Sequence, residues 1–241
     1  MNLNQIIIEE KRLREIIDRE YVGPTQESKP ISKPIYDGIV NPEQYISSSP
    51  RILWILKEPY DKGTDYTGGG YSITDNLLNK DTNRMSRARA YQPICYINYG
   101  IWENVHAWDQ MPRLKDCEKM RNGLRKIAYI NISKLPGLKQ TPWKRIVQAY
   151  QKYHHVIRDQ ISTYAPNIIF SCNPHANMLP KDLGLTTSQW QPFGSAAAIL
   201  ISSEQRLVRV AHPSCRMNRA AYIDDAIKAA TNDLAVPQKS A

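Results

Sequence analysis

His212-Pro213-Ser214 follows directly on the apolar run Leu207-Val208-Arg209-Val210-Ala211. An earlier run, Arg51-Ile52-Leu53-Trp54-Ile55-Leu56, ends in a second polar loop that contains proline, Lys57-Glu58-Pro59-Tyr60-Asp61-Lys62-Gly63. A buried strand thus delivers an imidazole to one loop, and another strand delivers an acid. In open α/β sheets, ligands bind outside the carboxyl ends of the strands. The two loops, about 150 residues apart in the chain, predict one site in which an acid and an imidazole share a cleft.

The elements that must position these loops are legible as short apolar runs separated by helical patterns. Strands are predicted at 51–56, 127–132, 167–172 and 206–211, and 196–202 could pair with the last as a hairpin around Ser203-Glu204. Ile7, Leu13, Ile16 and Ile17 recur at near-helical spacing among charges, which predicts an amphipathic helix over 3–20. Further helices are expected at 113–126, from Trp143 to Tyr164 with Thr141-Pro142 as cap and first turn, at 174–182, and at 217–233. Pro24, Pro30, Pro34 and Pro42 within 22–50 mark an extended, wrapping arm. Strands alternating with helices give a three-layer α/β/α fold with a central, mostly parallel four-stranded sheet. The chain reads as one domain: helix and arm over 1–50, an α/β core over 51–233, and a frayed tail over 234–241. The stretch 73–126 is an insert without an evident role.

The chain has 241 residues, 41% of them hydrophobic, with 32 Lys and Arg against 23 Asp and Glu, a net charge of +9. Such a surplus favours a polyanionic partner such as nucleic acid, against the plainer reading of a solvated basic surface. Cys95, Cys117, Cys172 and Cys215 are scattered with no Cys-x-x-Cys pair, which argues against a zinc ribbon and for a reduced, cytoplasmic setting. No apolar run approaches the ~20 residues a membrane helix needs. His154 and His155 are adjacent, and on a helix their side chains would diverge by about 100°, so no metal site is expected there.

These residues resemble the uracil-DNA glycosylase superfamily. His212-Pro213-Ser214 matches its His-Pro-Ser motif. Leu56-Lys57-Glu58-Pro59-Tyr60-Asp61 is similar to its Gly-Gln-Asp-Pro-Tyr-His motif, with Glu for Asp and Asp for His. The classical family carries a stacking aromatic thirteen residues after its acid, and thirteen residues after Glu58 stands Tyr71, followed by Ser72. Tyr129-Ile130-Asn131-Ile132-Ser133-Lys134-Leu135-Pro136 resembles the strand that bears the family's asparagine. The four pieces occur in family order across residues 50–220.

The resemblance implies a glycosylase that extrudes a nucleotide and hydrolyses its N-glycosidic bond. Glu58 would stabilise the sugar cation and orient a water, and His212 would donate a hydrogen bond to the departing base. Asn131 would read the Watson–Crick edge, Tyr71 would stack on the base, and Tyr60 would stand at its C5 edge. Ser214, Lys134 and Arg219 would hold backbone phosphate, with Arg216 and Met217 at the wedge that fills the gap. No metal or cofactor is implied, no membrane partner, and a monomer is the default. Each residue also has a plainer reading: a salt-bridging Glu58, a structural His212, a strand-ending Asn131, a core Tyr71, a surface Arg216. The divergent first motif and the Gly68-Gly69-Gly70 stretch motivate a second version, in which the substrate is a modified cytosine or other modified pyrimidine, as in host defence, in place of uracil. A non-catalytic nucleic-acid binder and a small-molecule α/β hydrolase are the rival classes, the latter without a Gly-x-Ser-x-Gly elbow.

Overall fold

Ile52–Leu56 is buried at all five positions, as a strand covered on both faces must be. The computed structural model describes residues 2–21, 25–26, 29–30, 32–61, 67–86, 88–138, 141–172, 178–186 and 189–234. Its strands are β1 (Thr25–Gln26), β2 (Lys29–Pro30), β3 (Gly38–Ile39), β4 (Ile52–Leu56), β5 (Ala128–Asn131), β6 (Ile168–Cys172), β7 (Gln191–Phe193), β8 (Ala196–Leu200) and β9 (Arg206–Val210). Its α-helices are α1 (Leu3–Glu20), α2 (Pro42–Ile46), α3 (Ile73–Asn79), α4 (Thr82–Ser86), α5 (Tyr91–Glu103), α6 (Glu118–Asn122), α7 (Trp143–Tyr164), α8 (Met178–Asp182) and α9 (Arg219–Thr231).

The α/β class holds, but the sheet has seven strands where four were expected. Its order is β3-β5-β4-β6-β9-β8-β7. The four predicted strands, β5, β4, β6 and β9, form its parallel centre. β8 pairs antiparallel with β9, as the hairpin reading expected, and β7 and β3 add antiparallel edges. The two edge strands of two and three residues are too short to leave a periodic trace.

Alternation along each strand sends side chains to two apolar layers. One face buries Trp54, Tyr129, Phe170 and Val208 with Ile97 of α5 and Ile223 of α9. The other buries Leu53, Ile130, Ile169 and Leu207 with Leu13 of α1 and Ile157 of α7. Trp54 stacks on Phe170 at 4.2 Å across β4 and β6 and donates its indole N–H to Asn98 of α5 at 3.0 Å. Much of the 73–126 insert, through α5, is therefore one of the two helical layers.

Three local expectations are corrected. The arm over 22–50 contains a short helix, α2, capped by Asn41 with Pro42 at its first turn, and an edge strand. The helix expected at 113–126 is broken into a 3-10 turn at 114–116, α6, and a second 3-10 turn at 123–125. Thr141 does not cap α7, since its hydroxyl goes to Glu58. Of the helix expected at 174–182, residues 178–182 form α8 and the rest lie outside the described residues, as do Lys62, Gly63 and the tail from 235. No helix among the described residues is long and apolar enough to cross a membrane.

Candidate active site

The parallel strands bring the sequence motifs to one edge. Leu56, at the end of β4, lies in register with Asn131, at the end of β5. On the other side of β4, β6 pairs with β9, so Cys172 stands beside Val210, two residues before His212. After β4 the chain turns to β5 on one flank and then to β6 on the other, which makes the β4–β6 boundary the topological switch point. The loops holding Glu58 and His212 thus leave strands two spacings apart, about 10 Å.

His212 is fixed by its own loop. The Ser214 backbone N–H donates to Nδ1 at 3.2 Å, so Nδ1 must be an acceptor, and the Ser214 hydroxyl, 2.8 Å away, donates to the same atom. The ring proton is therefore on Nε2. Burial, helped by the positive charge of Lys57, lowers the His212 pKa to about 4. The side chain is a neutral N–H donor throughout the physiological range.

Asn131 is 1% exposed, and both Oδ1 and Nδ2 are buried without a hydrogen-bond partner. Its backbone is fully engaged: N–H donates to Asp37 at 2.7 Å and C=O accepts from Lys134 Nζ at 2.6 Å. Leaving a buried amide unpaired costs about 1–3 kcal/mol per group, so this arrangement is expensive for a residue that merely ends a strand. Alternation puts its side chain on the face of Tyr129, whose ring lies 5.7 Å from that of Tyr91. Tyr71 packs half-buried against this same apolar layer, and its pKa is raised by burial and then by Asp61.

Tyr71 is placed by close backbone packing. Residues 33–36 run beside 68–71, with Lys33 N–H donating to Gly68 at 2.8 Å and Tyr36 N–H to Tyr71 at 2.9 Å. A Cβ on Gly69, whose φ is +83°, would meet the Lys33 carbonyl oxygen at 2.0 Å. The Gly-Gly-Gly stretch is needed for that approach. Asp61 Oδ2 accepts from the Gly69 N–H at 2.9 Å and ties this turn to the acidic loop.

Glu58 is buried and bound by the segment that follows β5. Its Oε1 accepts from the Leu138 N–H at 3.2 Å and from the Thr141 hydroxyl, and Oε2 accepts from Arg145 Nε at 3.3 Å. Its side chain is 2% exposed. Gly137 lies so close that a Cβ there would stand 2.2 Å from the carboxyl carbon. Glu58 therefore knots the end of β4 to the start of α7. Tyr60, two residues on, bridges to Gly137 and is 60% exposed.

The loop after β9 opens on a cleft of about 500 Å³ lined by Arg89, Pro213, Cys215, Arg216, Met217 and Arg219, among others. Arg216 and Met217 are exposed there. Lys134 is a correction. Expected at DNA phosphate, it is 0% exposed and pairs with Asp37 at 2.8 Å, with Gln160 Oε1 at 2.9 Å as a further acceptor. It supports the Asn131 backbone from within and cannot reach a ligand. Sequence reasoning missed Lys57, Arg89 and Asp37. Lys57 sits in the first motif, but nothing in its spacing tells that its charge bears on His212. Comparison with protein-family models and with curated proteins gives no match for this chain.

Proposed function

We propose that the protein is a DNA glycosylase that receives an extruded pyrimidine at the carboxyl edge of β4, β5, β6 and β9. The observation that carries the reading is the buried, unpartnered amide of Asn131 on the edge that also bears a neutral His212 N–H donor. An amide offers one donor and one acceptor, the complement of a pyrimidine edge. Tyr71 supplies an aromatic face, and stacking on a base is worth ~1–3 kcal/mol. A net charge of +9 and the arginines of the adjoining cleft suit a polyanion.

In the reaction the bond between C1′ and the base nitrogen breaks, and the electron pair leaves with the base. His212 Nε2–H donates to the base carbonyl oxygen as negative charge gathers there. A preorganised donor of this kind lowers the barrier by roughly 2.7–4 kcal/mol. Water adds to C1′ and loses a proton, and the base anion gains one, leaving an abasic site. Negative charge for the sugar side comes from the acidic loop. Glu58 is bound by Thr141 and Arg145 and Asp61 by the Gly69 N–H, and Glu58→Gln compared with Asp61→Asn decides which of the two serves.

Between uracil and a larger pyrimidine, the exposure of Tyr60 supports the larger one, since a tyrosine that stands in solvent does not wall off the C5 edge. The test is incubation with oligonucleotides carrying uracil, thymine, 5-hydroxymethylcytosine or glucosylated 5-hydroxymethylcytosine, followed by alkaline cleavage of abasic sites. Strand scission with one of these, lost in His212→Asn, is the expected result. No scission with any base at any enzyme concentration would leave a DNA-binding protein without this activity.

A further inference from the structure

We infer that the 73–126 insert carries a second, separate phosphate-binding subsite, centred on Arg121, that holds the DNA backbone away from the reacting nucleotide. The inference rests on the reading of DNA as partner. Arg121 is 8% exposed, and its Nε is buried without a partner. Its Nη1 donates to the carbonyls of Leu114 and Lys115 at 2.8 and 2.7 Å, and no carboxylate pairs with it among the described residues. A buried guanidinium compensated only by carbonyl dipoles lacks a counter-charge.

The surroundings are built for an anion. Arg121 lines a cleft of about 300 Å³ with Arg113, Lys115 and Arg219, and no acid among the described residues lines it. The two carbonyl bonds from Arg121, with Leu114 N–H donating to the Tyr96 hydroxyl at 3.0 Å, clamp the 113–116 turn in place. The clamp presents Arg113 and Lys115, both exposed, to the opening. Arg219 donates to Gln92 Oε1 at 2.7 Å and also lines the larger cleft beside Pro213. One arginine thus joins the two clefts, so a strand whose target nucleotide sits near His212 can run its backbone on to Arg121. Phosphate esters match this chemistry, since arginine forks bind them through paired N–H donors.

Arg113→Gln/Lys115→Gln tests the site without disturbing the Arg121 clamp. The probe is a fluorescein-labelled duplex that contains only the four ordinary bases, titrated between 50 and 200 mM salt. The expected result is roughly 20-fold or more weaker binding at 50 mM salt, narrowing toward wild type at 200 mM, with a log–log salt slope shallower by about two, one per lost phosphate contact, and an unchanged melting temperature. An unchanged slope overturns the inference. The source of the phosphate is checked by thermal melting with inorganic phosphate and with a mononucleotide. Stabilisation by either one that vanishes in the double variant, with the DNA slope intact, would assign the cleft to a small ligand and overturn the backbone assignment. Because no excisable base is present, a failed glycosylase reading leaves this measurement unaffected.

Discussion

Ser214 gives both its backbone N–H and its hydroxyl to a single atom, Nδ1 of His212, at 3.2 and 2.8 Å. The serine decides which nitrogen of the imidazole keeps the proton, and so which one can serve a ligand. Ser214→Ala keeps the backbone bond and removes the second, so single-turnover base release should fall several-fold. His212→Asn should fall by about 10²-fold or more. Nitrogen-15 NMR of the ring should show protonated Nε2 from pH 8 down to near the folded pKa of about 4. The linkage sign follows: between about 4 and 6.5 the unfolded chain binds a proton that the native one does not, so this histidine makes stability rise with pH over that window. A protonated Nδ1 at pH 7 would refute the assignment.

Asn131 should behave oppositely toward stability and function. Replacing an unpaired buried amide with an apolar group of similar shape removes a desolvation cost. Asn131→Leu is therefore expected to melt at or above the wild-type temperature while losing base release entirely. A marked loss of stability would instead mean that the amide is satisfied within the fold.

Gly137 and Glu58 form a packing pair. Gly137→Ala places a methyl 2.2 Å from the Glu58 carboxyl carbon. It should destabilise the protein by roughly 1–3 kcal/mol, the range typical of overpacking. Glu58→Gln loses the charge-assisted bond to Arg145 and should cost about 1–2 kcal/mol. Chemical denaturation measures both. If the glutamine variant keeps wild-type turnover, Glu58 is confined to holding β4 against α7.

Glu10 of α1 offers a proton-linked contact between that helix and the sheet edge. Burial raises its pKa to about 7, partly offset by Tyr164 and by the Ile39 N–H, which donates at 3.2 Å. Here the native chain binds the extra proton, so stability should fall as pH rises from about 4.5 to 7. The amplitude is on the order of 2 kcal/mol, and Glu10→Gln should abolish it. Melting curves of both proteins at pH 5 and pH 7.5 report the difference.

The central strands were readable because each is a continuous apolar run, the pattern that burial on both faces imposes. α1 was readable from the helical spacing of its apolar residues. What escaped was set by partners distant in sequence. Lys134 looked like a surface cation because its counter-ion, Asp37, lies 97 residues away. Thr141 looked like a helix cap because Glu58, the acceptor of its hydroxyl, lies 83 residues away in the loop after β4. Broken 3-10 geometry at 114–125 left no periodic trace, since the turn there is clamped by Arg121 and Tyr96. Asn131 was singled out by motif, but only the fold reveals that its amide is left unanswered.

The outermost strands, β3 and β7, have one further consequence. They span two and three residues, and β7 contains Pro192, which has no N–H to offer. Neither rim exposes enough open backbone to template a strand from another molecule. Short rims of this kind, one of them carrying a proline, are a guard against the fibrous self-association that buried hydrophobic strands would otherwise invite.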